Sequence, residues 1–286
     1  MRLFSLNPRG KMNNDAKSEN ASMAVNIVIE ARGPIEILTL NRPDALNAVS
    51  PAMAEELTAY FDGLHRRREV RAVVLKANGR AFCAGLDIKG WGAPQGATPI
   101  LHFSDLQKAM GDIVRKMRSC PQPIVALGHG AACGAGFSLL LASDVRFGAP
   151  SLKMNAAYIK IGLGGADLGA SYFLPRLVGA SLASELLLTG RFLHAERALK
   201  LGLLSDVVEQ EQLLETGLAL AEEMVSNAPT GLALTKQALN FNIDAASLEA
   251  AMALEDRQQI LMSETFDHKE AMAAFVEKRA PRYEGR

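Results

Sequence analysis

The 286-residue chain has only three cysteines, Cys83, Cys120 and Cys133, with no paired spacing and no histidine beside them at metal-ligand spacing. That excludes a disulfide scaffold and a recognisable zinc site, and it fits a reducing compartment, so a cytoplasmic location is expected. Net charge is missing too, because 31 Lys and Arg balance 31 Asp and Glu. A balanced chain lacks the electrostatic footprint of a nucleic-acid or membrane-surface binder. Its one basic cluster, Arg66–Arg68, follows an amphipathic segment, where cations suit the negative end of a helix dipole. No apolar run approaches the roughly 18 residues of a membrane span, and the longest lies near Phe137–Ala142. The first 23 residues are rich in Asn, Ser and charge and lack the apolar centre of a signal peptide. They read as a disordered tail, or as sequence ahead of a start at Met23, rather than as a transit peptide.

What is present is a chain that is 49% hydrophobic and 22% charged, enough to bury a sizeable core. Val25–Glu30 and Ile35–Leu40 suggest a strand pair. Ser50–Pro51 reads as an N-cap followed by proline at the first helical position, opening a helix to about Leu64. Val70–Lys76 is a β-branched run and hence a buried strand. A loop spans 79–87, and the Gly/Pro-rich stretch 91–98 is expected to be mobile. Apolar residues at 106, 109, 110, 113, 114 and 117 predict a helix over 105–117. Strands follow at 124–127 and 144–147, with a Gly-rich loop over 128–136 and a short apolar helix between them. Strand and helix thus alternate through the first half, which argues for an α/β fold with crossover connections. From Leu168 onward the pattern is helical apart from a short run at 203–208. No internal repeat is visible.

Two Gly-containing turns carry the chemistry. The first is Ala81-Phe82-Cys83-Ala84-Gly85-Leu86-Asp87 and the second runs from Gly128 to Gly136. Small residues let backbone N–H groups approach a ligand closely. In the second turn those groups also point out of a helix N-terminus, which favours negative charge. Gly128, Gly130 and Gly134 make a poor dinucleotide fingerprint. Cys133 stands where the third glycine belongs, and no acidic residue lies about twenty positions on. Ser138, in Gly-Phe-Ser-Leu-Leu, does not make a nucleophile elbow.

Taken as a pair, AFCAGLDIK and GHGAACGAGFSLLLASD resemble the crotonase (enoyl-CoA hydratase/isomerase) family. The resemblance continues in NRPDALNA from Asn41, LPRLVG from Leu174, ELLLTGR from Glu185 and FVEKRAP from Phe275, so it covers Val25 to Pro281. It implies a crotonase fold, with a spiral of ββα turns carrying the active site over residues 24–205. It also implies a helical region over 206–286 used to form trimers, or dimers of trimers. The substrate would be an acyl-CoA thioester, with no cofactor beyond the coenzyme A it carries and no metal. The N–H groups of Ala84 and Ala135 would form the oxyanion hole. Arg42 and Ala45 would contact the nucleotide end of coenzyme A, with Gly85, Leu86 and Asp87 in the same binding surface. Phe275 and Lys278 would help close the adenine and phosphate site. The chemistry is coherent, since removing a proton beside a thioester puts charge on the carbonyl oxygen, where two preorganised donors act strongly.

The sequence departs from the hydratase pattern at both of its glutamates, which fall on Ser138 and Tyr158. Serine and tyrosine without a partner are poor bases near neutral pH. One carboxylate remains nearby, Asp167, just ahead of a helical stretch. It can move a proton in a double-bond shift or attack an activated acyl ring, or it can simply cap the helix at Leu168–Leu177. The favoured activity is therefore double-bond isomerisation using Asp167. Hydration with a non-standard carboxylate and acyl-CoA binding without turnover are the alternatives. Asp87 is expected to order its turn, and Asp144 to be structural. His129 should pack beside the Gly loop. Trp91 suits either the acyl pocket or a packed surface loop.

Overall fold

The computed structural model describes residues 25–92, 96 and 98–286. The expected N-terminal tail over residues 1–23 and part of the 91–98 stretch lie outside them. Strands β1 (Ile27–Arg32) and β2 (Ile35–Leu40) form an antiparallel pair. Helix α1 (Pro51–Gly63) opens at Ser50, whose hydroxyl accepts the Met53 N–H at 3.3 Å, with proline at its first position. After β3 (Ala72–Ala77) comes α2 (Pro99–Ser119), which starts six residues earlier than its apolar spacing predicts. Its first turn, Pro-Ile-Leu-His-Phe, is open to solvent, so the apolar period begins later than the helix does.

Strand β4 (Ile124–Gly128) leads into a three-residue strand, β5 (Ala131–Cys133), inside the stretch expected to be loop. Then follow α3 (Ala135–Ala142), β6 (Val145–Gly148) and β7 (Lys153–Asn155). A 3-10 turn at Ala157–Ile161 precedes α4 (Ala170–Val178) and α5 (Ala180–Thr189). Two-residue strands β8 (Leu193–His194) and β9 (Asp206–Val207) flank α6 (Ala195–Lys200). The chain ends in α7 (Leu213–Val225), α8 (Pro229–Asn242), α9 (Leu248–Ser263) and α10 (Phe266–Glu277).

The main sheet runs β1-β2-β3-β4-β6-β9, parallel from β2 onward, and a second sheet joins β5, β7 and β8. Parallel strands are buried on both faces and so read as unbroken apolar runs. Val73, Leu75, Ile124 and Ala126 face the core built with α1, α2 and α3. Val74, Val125 and Leu127 face a second core closed by Leu213, Leu218 and Ala221 of α7. Asp144 is structural, as expected. It accepts the Ile124 N–H at 2.8 Å and pairs with Arg118 and with the buried Lys236, each at 2.9 Å. Lys236 also donates to the Gln122 carbonyl at 2.7 Å, which fastens α8 to the layered core. Arg67, the centre of the basic cluster, bonds Glu36 and Glu69. Much of its charge is therefore already satisfied.

The architecture brings the loops after β3 and β4, two parallel neighbours, to the same sheet edge. Their contact is close at Gly136, where an added Cβ would fall 2.2 Å from the Cys83 carbonyl oxygen. Gly136→Ala should therefore destabilise the protein by about 1–3 kcal/mol through overpacking. Gly63→Ala, where nothing lies within 4 Å, should be neutral or slightly stabilising. Denaturation midpoints of the two variants check this.

Candidate active site

The two turns are laced by backbone hydrogen bonds. Phe82 and Cys83 donate to the His129 and Ala131 carbonyls at 2.9 and 3.0 Å, and Cys133 donates back to Cys83 at 2.9 Å. On its other side the first turn is held by the 46–49 segment. Val49 donates to Gly85 at 2.8 Å, and Asp87 donates to Val49 at 3.0 Å. The Trp91 indole donates to the same Val49 carbonyl at 2.8 Å and the ring packs on the core, so Trp91 is a packing residue of this loop.

One expected donor needs correction. The Ala84 N–H is spent on the Leu46 carbonyl at 2.9 Å, so it is not open to a ligand. Gly85, at φ +111°, turns the chain just after it. With Gly85 O and Asp87 N both directed at Val49, the intervening Leu86 N–H points away from that segment, as alternation in an extended chain requires. It has no hydrogen-bond partner among the described residues. The Ala135 N–H is likewise open, because Ala135 is the first residue of α3 and Gly134 offers no side chain to cap it. A Cβ added at Gly85 would stand 3.8 Å from the Ala135 nitrogen. The two open amides thus belong to segments in direct contact. Chain alternation around a left-handed glycine is not legible in a motif, and the displacement from position 84 to 86 follows from it.

Ser138 and Tyr158, the positions of the missing glutamates, are both buried, and their hydroxyls lie 2.6 Å apart. Burial pushes the Tyr158 phenol well above its ordinary value, and the nearby Asp167 charge pushes the same way, while the bond to Ser138 opposes them. Tyr158 therefore stays protonated throughout the physiological range. The Cys83 thiol is pushed up to about 12 by burial. Tyr158 and the Cys83 thiol are thus neutral, and Asp87 in the first turn is paired with Arg42.

Asp167 is half-buried and does not cap α4, whose N-cap is Gly169 with no side-chain bond. Its Oδ1 instead accepts the Leu168 N–H at 2.7 Å and the Gln107 side-chain amide from α2. The α2 pattern marks apolar positions only, so nothing in the sequence points to Gln107. Arg42 and Asp87 form an ion pair at 2.9 Å, and Asp87 also accepts the Gly90 N–H at 3.1 Å. The Gly90 bond and Arg42 hold the Asp87 carboxyl below the usual range. Its ordering role stands, and Arg42 is tied to it. Ala45 lies in the 3-10 turn Pro43–Ala45, held by the buried Asn47, whose amide donates to the Asn78 and Ala81 carbonyls at 2.8 and 2.9 Å. His129 packs beside the Gly loop, with its Nε2 2.9 Å from the Gly79 carbonyl. Phe275 is 81% exposed, and Lys278 caps α10 in the left-handed region. No hydrogen bond among the described residues joins either to the turns.

A family model described as enoyl-CoA hydratase/isomerase matches residues 30–286. The chain belongs to the enoyl-CoA hydratase/isomerase family. A Mycobacterium tuberculosis protein named probable enoyl-CoA hydratase EchA12 is 36% identical over 265 residues, covering 91% of this chain and 93% of that protein. The 1,2-epoxyphenylacetyl-CoA isomerase of Escherichia coli is 34% identical over 250 residues, covering 87% and 94%. The crystal structure of an enoyl-CoA hydratase from Bacillus anthracis superposes with a TM-score of 0.86 at 30% identity, covering 92% of this chain and all of that one. The fold is therefore the crotonase fold of this enoyl-CoA hydratase/isomerase family. Among the described residues no helix is long and apolar enough to cross a membrane, and no His, Cys, Asp and Glu group could hold a metal ion.

The hydroxyl pair makes a direct prediction for this family member. Tyr158→Phe leaves the Ser138 hydroxyl buried without its partner and should cost about 1–3 kcal/mol. The double variant Ser138→Ala/Tyr158→Phe should be less destabilised than the sum of the two single changes. Urea denaturation of the four proteins reads the coupling.

Proposed function

We propose that the protein shifts the C=C bond of an enoyl-CoA thioester. In this reading the Leu86 and Ala135 N–H groups hold the enolate oxygen, and Asp167 removes and returns the proton. The observation that carries it is the Ser138–Tyr158 pair. Where a hydratase of this family holds two glutamates, two neutral hydroxyls bond each other at 2.6 Å, and Asp167 is the carboxylate whose charge bears on Tyr158. Adding water across a double bond calls for a base to activate the water and an acid to protonate carbon. Moving a double bond needs one group that takes a proton from one carbon and delivers it to another. A single carboxylate beside two protonated hydroxyls suits the second task. Two backbone donors then contribute several kcal/mol as charge develops on the thioester oxygen.

The acyl group would lie against α2, where a shallow depression of about 450 Å³ is lined by Ile100, Phe103, Ser104, Gln107, Lys108 and Arg115. The reading needs no metal or cofactor beyond the substrate's coenzyme A, and no nucleic acid. Arg42 and Ala45 would serve the nucleotide end. Apolar residues exposed on α9 and α10, among them Ile260, Leu261, Phe275 and Val276, support self-association as trimers or paired trimers. In such an assembly Phe275 and Lys278 could reach a neighbouring coenzyme A. Hydration by the same carboxylate is the second reading, favoured by the name of the Mycobacterium tuberculosis relative.

The purified protein should convert a 3-enoyl-CoA to the conjugated 2-enoyl-CoA and exchange the substrate's α-proton in deuterated water, and it should hydrate crotonyl-CoA poorly. Asp167→Asn should lower isomerisation at least roughly 100-fold while thioester binding persists. Efficient hydration would favour the second reading, and binding without exchange would mark a non-catalytic binder. An Asp167→Asn protein of undiminished activity would remove Asp167 from the mechanism.

A further inference from the structure

We propose that Gln107 is the positioning residue for Asp167, making the two oxygens of that carboxylate unequal so that Oδ2 alone exchanges the proton; this rests on the role given to Asp167 above. Oδ1 accepts two N–H groups from independent parts of the chain. One is the Gln107 side-chain amide, sixty residues away on α2, and the other is the Leu168 main chain at 2.7 Å. No described residue donates to Oδ2. An ionised carboxylate only accepts hydrogen bonds, so the Gln107 amide must present its NH2 to Asp167.

The backbone prepares the same arrangement. Leu168 sits at φ 45° and Gly169 at φ 81°, and α4 begins only at Ala170. A left-handed leucine persists only where its surroundings hold it, and here it aims its N–H at the carboxylate that precedes it. That single local bond leaves the carboxylate free to swing about its own side-chain torsions. The bond to α2 removes that freedom and fixes Asp167 relative to the helix against which the acyl group would lie. A neutral amide suits the task. Arginine or lysine would hold the carboxylate with a full charge and oppose its protonation, whereas a glutamine orients it without a counter-charge.

Gln107 is half-buried on a helix surface, and leucine or glutamate is compatible with the helix there. The experiment compares Gln107→Leu and Gln107→Glu, each alone and combined with Asp167→Asn, using steady-state isomerisation of a 3-enoyl-CoA and equilibrium binding of a saturated acyl-CoA. Gln107→Leu should lower kcat roughly ten- to a hundredfold, the scale on which misplaced catalytic groups lose rate. Gln107 also lines the α2 depression, so KM and thioester binding are measured separately, and a loss in kcat is the readout of carboxylate positioning. Gln107→Glu, which sets a like charge against Asp167, should lose at least as much. In the Asp167→Asn background neither change should lower kcat further, because the effect of Gln107 on kcat runs through the carboxylate.

A Gln107→Leu enzyme with wild-type kcat, or one altered only in KM, would overturn the inference while leaving the Asp167 mechanism intact. So would a loss that adds in full to that of Asp167→Asn, which would mark a general effect on the fold. If Asp167→Asn is itself as active as the wild type, the mechanism and this inference fall together.

Discussion

The Cys133 N–H donates to the Cys83 carbonyl at 2.9 Å, and the rest of the site depends on that contact between two turns. It exists because β3 and β4 are parallel neighbours, so the loops leaving their carboxyl ends emerge side by side, the edge at which open α/β sheets place their ligands. Residues without side chains make the approach possible. A Cβ at Gly136 would collide with the Cys83 carbonyl, and one at Gly85 would press on the Cys133 carbonyl at 3.0 Å. Both turns are also anchored on their outer sides, the first by Leu46 and Val49 and the second by Asn155, which accepts the Gly134 N–H at 3.0 Å. Among the amides this lacing leaves unpaired are those of Leu86 and Ala135. Polar backbone at such depth is ordinarily paired, so two open donors in touching segments are a feature of the site.

The electrostatics around the turns are sparse. Tyr158 and Ser138 satisfy each other, the Cys83 thiol stays neutral, and Asp87 is balanced by Arg42. Asp167 is then the charge that bears on the buried phenol. A proton-transfer group works best where its neighbours do not compete for the proton, and a pair of mutually bonded hydroxyls is such a neighbourhood. In the function proposed above, the two mutually bonded hydroxyls would leave the proton to Asp167. The relatives' names are divided between hydratase and isomerase, and one fold can carry different chemistries.

Away from the site the fold spends its buried charge on assembly. Asp144, Arg118 and Lys236 join β4, β6, α2 and α8 in one cluster, so the helical C-terminal part is bound to the layered core by groups that cannot be removed singly without leaving a buried charge unpaired. Helix α9, by contrast, has no buried residue and presents large apolar side chains to solvent in the single chain.

Much of this was legible in the residues alone. The β-branched runs located the sheet, Ser50 and Pro51 located the start of α1, and two spaced Gly-containing turns with their flanking motifs identified the family, because these signals are local and periodic. That the glutamates expected from the family resemblance fall on Ser138 and Tyr158 was equally plain, since it is a matter of residue identity. What the tertiary structure decided is what depends on direction and on distant partners. The amide at position 84 turned out to be occupied and the one at 86 open, because hydrogen-bond direction along a turn is set by one glycine's φ and by a segment forty residues upstream. Ser138 met Tyr158, and Asp167 met Gln107 rather than capping a helix, because those pairs are made by packing across elements, and no spacing in a single chain encodes which polar groups will face each other.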